Sequence, residues 1–285
     1  MIRRRPILSF LLLTLAFSAV FYYLMRGGEA RGGIMRYYVT GVMWCPALAA
    51  LIVQRQFGAT ADALGWRFGE WRWNLGAYLV PVLYGLIAYS IIWLTGLGGF
   101  PEPGYLADNA KMVGLPVPPL VANLLMLLVL AGPGVLLSCA SALGEELGWR
   151  GFLTPRLVQR FGFTGGSLAV GFIWAAWHVP ILFWPKYLGT TPMPFAMACF
   201  FISLIASSFV YTWFRLRSGS VWPAVLLHAS HNVFIPLVFT PLTAETSERT
   251  AYAVDEFGFM LAAVNIVLAL AFWWRRDEAT RAAVA

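Results

Sequence analysis

Eight stretches of this chain carry no charged side chain: 6–25, 37–54, 73–101, 112–144, 161–185, 187–214, 218–244 and 257–274. Each is at least 18 residues long. An α-helix of about 20 apolar residues crosses the ~30 Å hydrocarbon core of a bilayer. The simplest fold is therefore all-α and polytopic, with about eight transmembrane helices. Composition agrees, because 60% of the residues are hydrophobic and only 12% are charged, against roughly a quarter charged in water-soluble domains. A soluble enzyme, a nucleic-acid binder and a disordered tail are excluded.

The net charge of +7 matters less than its distribution, since basic residues concentrate on the cytosolic side of membrane proteins. With the N-terminus inside, the inner segments hold 14 of the 20 Lys and Arg. These are Arg3, Arg4, Arg5, Arg55, Arg67, Arg72, Arg150, Arg156, Arg160, Arg215, Arg217, Arg275, Arg276 and Arg281. The outer loops hold Arg26, Arg31, Arg36, Lys111, Lys186 and Arg249 beside acidic Glu102, Asp108, Glu245, Glu248, Asp255 and Glu256. Both termini are expected in the cytosol, and the cell membrane is the expected location. The first run is longer than a signal-peptide core and ends in Tyr22, Tyr23 and Met25 rather than small cleavage-site residues, so it reads as a retained helix. Cys45, Cys139 and Cys199 fall inside spans without C-x-x-C spacing and read as inert core thiols.

Prolines cluster at 101–119 between the third and fourth runs, which divides the chain into 1–110, an N-terminal trio of helices with a cytosolic loop at 55–72, and a C-terminal group. That group separates into 115–240 and 241–285, the latter a last helix and a basic tail. The loop at 55–72 holds Trp66 and Trp71, residues favoured at the membrane interface. Gly132-Pro133-Gly134 predicts a kink or break in the fourth span.

Ionisable groups inside a span cost roughly 2.5 to 3.5 kcal/mol even on insertion scales and mark functional sites. Glu145 and Glu146 close the fourth run, with Arg150 one turn beyond Glu146 on the same helix face, so one glutamate can be paired while the other points elsewhere. An ion pair at a helix end explains Glu146 and Arg150 without any chemistry. Two adjacent carboxylates in a poorly hydrated site would also resist double ionisation, which suits one of them to general-base work. His178 lies deep in the fifth run, one turn after Trp174; a lone buried histidine bonded to a backbone carbonyl is the plainer account of it. His228 and Asn232 in the seventh run share a face, with His231 offset by ~60°. Together, groups on three apolar helices favour one polar cavity that supplies a base, a water ligand and an oxyanion pocket. The depths match only approximately: His178 lies about 14 residues in, ~20 Å at 1.5 Å per residue, so tilt or a break near Gly165-Gly166 is expected to bring it toward His228.

Glu145-Glu146-x-x-x-Arg150, Trp174-x-x-x-His178 and His228-x-x-x-Asn232, in that order on successive apolar segments, resemble the three motifs of the CPBP family. That family comprises type II CAAX prenyl endopeptidases and the bacteriocin-processing and immunity membrane proteins, also called Abi proteins. Gly219-Ser220-Val221-Trp222-Pro223-Ala224 before the third motif adds to the resemblance, which covers about 115–240. One departure is Trp174, where the family usually has Phe. The resemblance implies that 115–240 is an intramembrane peptidase domain. Glu145 would be the general base, His178 would hold the attacking water, and His228 with Asn232 would stabilise the oxyanion. Glu146 and Arg150 would order the first helix and tune Glu145. His231 matches no family position and stands as a candidate supporting donor.

Direct attack by water is expected, because no Ser-His-Asp order or activated cysteine is present. The family is often described as metallopeptidase, and Glu145, His178 and His228 would be the ligands if a divalent metal such as zinc were bound; a metal-independent glutamate mechanism is the preferred expectation, since His228 cannot both ligate zinc and donate to an oxyanion. The expected partners are the bilayer and a membrane-associated protein or peptide substrate, prenylated or leader-bearing, entering from the cytosolic half. A non-proteolytic immunity or scaffold protein using the same motifs for partner binding is one alternative. A proton-coupled transporter is another, weakened by the lack of an inverted repeat.

Overall fold

The computed structural model describes residues 5–26, 34–56, 61–183 and 188–282. Arg3, Arg4, Arg31, Lys186 and positions 57–60 of the predicted cytosolic loop lie outside them. The described chain is helical, with one isolated antiparallel bridge between Gly99 and Ala244 and no strand among the described residues. Its helices are α1 (Pro6–Met25), α2 (Met35–Gln56), α3 (Trp71–Leu94), α4 (Pro103–Val113), α5 (Pro119–Val129), α6 (Val135–Glu146), α7 (Thr154–Leu182), α8 (Met193–Ser218), α9 (Trp222–Phe234), α10 (Glu248–Ala253), α11 (Phe259–Trp274) and α12 (Arg276–Ala282). Among the described residues six segments are long and apolar enough to cross a membrane: Pro6–Met25, Met35–Gln56, Trp71–Leu94, Pro119–Leu182, Met193–Ser218 and Trp222–Phe239. The last apolar helix, α11, has 16 residues. Leu12, Leu94, Leu128, Leu137, Val267 and Leu270 stay exposed on the outer faces of these helices, as side chains that meet lipid do.

Two of the charge-free runs lie in the single segment Pro119–Leu182, and local chemistry explains how they join. Pro133 lacks an N–H and its ring conflicts with the carbonyl one turn back. Of the kink or break expected here, the break does not occur. The helix widens into a π-turn over Leu130–Gly134 and continues, while the Tyr78 hydroxyl donates to the Ala131 carbonyl at 2.9 Å. A second π-turn over Leu147–Leu153 follows α6 and is closed by the Thr154 hydroxyl donating to the Trp149 carbonyl at 2.8 Å. Such turns insert an extra residue per turn and re-aim side chains, often at functional sites.

The break in α7 is at Gly162 (φ 70°, ψ 177°), a left-handed backbone that favours glycine, three residues before the expected Gly165-Gly166. The second limb then folds back on the first. A Cβ on Gly166 would stand 2.8 Å from the backbone of Val158, a separation that eight residues of straight helix, about 12 Å, could not give. Gly166 is the contact that lets the limbs close rather than the break itself.

The loops sort into two ends. At one end the 61–70 segment is tied to the start of α9: Val221 N donates to the Gly65 carbonyl at 2.8 Å, Ser220 Oγ to the Arg67 carbonyl at 2.6 Å and Trp222 Nε1 to the Trp66 carbonyl at 2.7 Å. Arg156 reaches Gln54 at 2.7 Å and Trp213 reaches the Arg275 carbonyl at 2.9 Å at the same end, so the arginine-bearing loops converge there. At the other end Gly99 pairs with Ala244 and Glu102 N donates to the Leu242 carbonyl. Helix α4, inside the proline-rich connection, is capped by Glu102, which accepts from Gly104 N at 3.1 Å. The central span is α9, the most enclosed, flanked by α3, α6 and α8. Cys45 and Cys199 are buried, Cys139 is half-buried, and all three are unpaired.

Candidate active site

Helix α6 delivers Glu145 and Glu146 into the protein, 2% and 0% exposed. Two glycines make this possible. A Cβ on Gly144 would lie 2.6 Å from the Met43 carbonyl oxygen, and one on Gly148 only 2.3 Å from Pro46, so α2 crosses the segment at backbone contact. The adjacent carboxylates then diverge. Glu146 Oε1 accepts from Arg150 Nη1 at 3.1 Å and from His228 Nδ1 at 2.8 Å. Arg150 is completely buried, with its guanidinium 4.1 Å from the Trp174 ring centre, 4.0 Å from that of Tyr211 and 3.4 Å from the Ser208 hydroxyl. Burial of both charges is tolerable because they pair with each other, although Glu146 Oε2 and Arg150 Nε have no hydrogen-bond partner among the described residues. The Arg150 carbonyl, freed by the π-turn, accepts from Arg215 Nε at 3.0 Å.

Glu145 turns the other way, into a cavity of about 430 Å³ that is also lined by Trp174, His178, His228, His231 and Asn232. The structure thus gathers around one space the four residues to which the sequence assigned catalytic roles. Trp174 is the hub. Its indole N–H donates to Glu145 Oε2 at 2.7 Å, and its ring packs edge-on against His178, Tyr211 and His228 at centroid distances of 5.9, 5.5 and 5.6 Å. With Phe in this place the ring contacts would remain and the hydrogen bond would not.

His178 Nδ1 lies 2.8 Å from the Trp174 carbonyl. A carbonyl only accepts, so Nδ1 carries the proton and a neutral ring presents its Nε2 lone pair. The bond is the backbone contact anticipated as the plainer account of this residue, and it coexists with a place on the cavity wall. His228 Nδ1 donates to the Glu146 carboxylate by the same logic, so Nε2 can donate only when the ring holds two protons. Asn232 is half-buried on the wall, and its carboxamide hydrogen-bonds no other described residue.

Sequence reasoning missed the opposite wall. Asp255, Glu256 and Phe257, in the segment between α10 and α11, line the same cavity with Tyr22, Phe200 and Tyr211. Loop arithmetic had assigned Asp255 and Glu256 to an outer loop. The available signal was their position, directly ahead of an apolar helix. His231 organises this wall: Nε2 meets Glu256 Oε1 at 2.9 Å and Nδ1 meets the Tyr84 hydroxyl. With both nitrogens engaged, His231 braces Glu256 rather than facing a substrate. Burial, reinforced by the Glu256 charge, pushes the Asp255 carboxyl up to about 6. Burial also raises Glu256, but the hydrogen bond and charge of His231 outweigh it and hold that carboxyl below its usual range.

His228 stands six residues from the arginine-rich end of α9, about 9 Å, whereas His178 stands four residues from the opposite end of α7, about 6 Å. Both nevertheless pack against the one Trp174 ring, which bridges the depths that the sequence left unequal. Among the described residues no group of three or more His, Cys, Asp or Glu side chains is placed to hold a metal ion, so Glu145, His178 and His228 are not assembled as a ligand set.

Two comparisons bear on this arrangement. The family model for Rce1-like type II CAAX prenyl endopeptidases matches residues 118–234, the stretch containing α5 to α9. A curated protein named CAAX prenyl protease 2, from Methanococcus maripaludis, is 26% identical over 159 residues, 54% of this chain and 54% of that protein. The chain thus spans about half the length of this curated relative.

Proposed function

We propose that this integral membrane protein, whose residues 118–234 match the family model for Rce1-like type II CAAX prenyl endopeptidases, hydrolyses a peptide bond of a membrane-associated substrate by glutamate-activated water. The observation that carries the reading is Glu145: 98% buried by its 2% exposure, oriented by Trp174 through one carboxylate oxygen, and turned into a cavity shared with two histidines and an asparagine.

In the proposed reaction a water sits between Glu145 and His178 Nε2. Glu145 takes one proton as the water oxygen attacks the carbonyl carbon, and His178 orients the oxygen through its lone pair. The negative charge that develops on the carbonyl oxygen is met by the Asn232 amide and by His228 Nε2–H of the doubly protonated ring, which Glu146 supports from the other side. Glu145 then passes its proton to the leaving nitrogen as the C–N bond breaks, releasing an amine and a carboxylic acid that keeps the second water proton until it ionises in water. No step is routed through a metal.

The positive-inside pattern supports cytosolic termini in the cell membrane, with the eight charge-free runs as spans. Entry from the cytosolic half is favoured by the place of Glu145 and His228 toward the arginine-rich end. Entry from the other end is favoured by Asp255, Glu256 and Tyr22 in the wall. Cysteine substituted at Val39, on that wall, and tested with a membrane-impermeant thiol reagent from each side separates the two.

The proposal is tested with purified, reconstituted protein and a panel of prenylated and leader-type peptides. Glu145→Ala is expected to remove cleavage by about 10²- to 10⁴-fold without loss of folding; full activity in the variant refutes the mechanism. Dialysis against chelator is expected to leave the rate unchanged, and a loss restored by zinc would replace the water-and-glutamate scheme with a metal one.

A further inference from the structure

The geometry points to a binding site for an anionic phospholipid in the groove between the start of α1 and the first limb of α7, outside the catalytic cavity. The groove has a volume of about 710 Å³ and shares no lining residue with that cavity. Arg5 and Arg160 stand at it, with Leu8, Leu11, Leu157 and Phe161 among its walls. Both guanidiniums are exposed, and among the described residues neither has an anionic partner. Three other arginines at this end are engaged, Arg156 with Gln54, Arg275 with Glu278, and Arg276 with the Trp273 carbonyl, while Arg55, Arg67 and Arg281 share the end but do not line the groove. Arg160 lies 5.2 Å over the Phe161 ring, which leaves its N–H fork open at the edge.

The arrangement matches an amphiphile. Arg5 and Arg160 occupy the end where the arginine-bearing loops converge, and Leu8 and Leu11 lie three and six residues along α1 from Arg5, roughly 4.5 and 9 Å deeper. Two guanidiniums suit the paired acceptor oxygens of a phosphodiester, and basic pockets between helix ends at a membrane surface attract anionic headgroups. A zwitterionic lipid would fill the apolar part and add no net charge to offset the arginines. A soluble anion would use the arginines and leave Leu8, Leu11 and half-exposed Phe161 uncovered.

The test uses the full chain in detergent, titrated by native mass spectrometry with phosphatidylglycerol and with phosphatidylcholine of the same acyl chains. The wild type is expected to retain phosphatidylglycerol preferentially. An arginine near such a surface contributes about 1 kcal/mol, so Arg5→Gln and Arg160→Gln should each weaken that binding about fivefold and together about thirtyfold. Phosphatidylcholine binding should not change, and Arg281→Gln, at the same end but outside the groove, should leave both lipids unaffected. Wild-type affinity in the double variant overturns the site, as does an equal loss in Arg281→Gln, which would mean diffuse charge attraction. Two arms on the wild type need no variant to fold: chain-free glycerophosphoglycerol is expected not to bind, and displacement of the lipid by millimolar inorganic phosphate would reassign the arginines to a soluble anion.

Discussion

Arg150 and Glu146 form an ion pair with no solvent exposure on either side chain, 3.1 Å apart, and the energetics of such a pair depend on which half is removed. Arg150→Met deletes the cation and leaves Glu146 charged in a fully buried site, with only His228 Nδ1 opposite it. Stranding a buried charge in this way costs about 3 to 5 kcal/mol. The double variant Glu146→Gln/Arg150→Met strands nothing. It loses the contacts of the guanidinium with the Trp174 and Tyr211 rings and the long bond to Ser208, together about 2 kcal/mol. The double variant is therefore expected to be more stable than Arg150→Met, with non-additivity of about 2 kcal/mol or more in the complete cycle. Reversible denaturation of the four proteins in mixed micelles measures this directly. An amide oxygen at position 146 still accepts the His228 Nδ1 proton, so peptide cleavage should survive better in the double variant than in Glu146→Ala. If Arg150→Met is as stable as the double variant, the pair is not acting as a buried ion pair and the account of how His228 is anchored fails with it.

Trp174→Phe should preserve the ring contacts around His178 and His228 but leave Glu145 Oε2 without its 2.7 Å donor; a hydrogen bond to a charged group is worth about 1.5 to 3 kcal/mol, so the melting temperature is expected to fall by a corresponding amount and kcat/KM for peptide cleavage to fall tenfold or more in the folded protein. Gly148→Ala places a methyl 2.3 Å from Pro46 and should destabilise the protein by about 1 to 3 kcal/mol, read as a lower melting temperature in detergent, whereas Gly132→Ala meets nothing within 4 Å and should not. Asp255, raised to about 6 by burial and the neighbouring Glu256, binds its proton more tightly folded than unfolded, so its contribution to stability falls as pH rises from about 4 to 6. Asp255→Asn should flatten that window and stabilise the protein at pH 7 by about 1 to 2 kcal/mol, a value discounted for partial exposure; an unchanged stability profile across pH 4 to 6 would show that the carboxyl is not held up. Glu256, held down by His231, acts in the opposite sense: its stabilisation is present above the ordinary glutamate value and is lost on acidification below it, so Glu256→Gln should remove a fall in stability below about pH 4.5.

Much of this protein could be read from order and spacing along one chain. The charge-free runs 6–25, 37–54 and 187–214 became α1, α2 and α8 because within a span a helix satisfies every backbone group internally, whatever its neighbours do. One-turn spacing put Arg150 beside Glu146 and left Glu145 to face another way, since helical periodicity alone sets which side chains share a face. The rest depended on partners distant in sequence. Pro133 foretold a kink or break, where a π-turn and Tyr78 from α3 instead carry the helix through, and the fold-back at Gly162 depends on Gly166 closing against Val158, a contact no local rule describes. His231 was an unassigned histidine until Tyr84 and Glu256, 147 and 25 residues away, met its two nitrogens. Asp255 and Glu256 were loop charges until packing placed them on the cavity wall. Periodicity and hydropathy are properties of a segment, but a cavity exists only where several segments fail to fill the space between them, so its walls were decided when the helices packed.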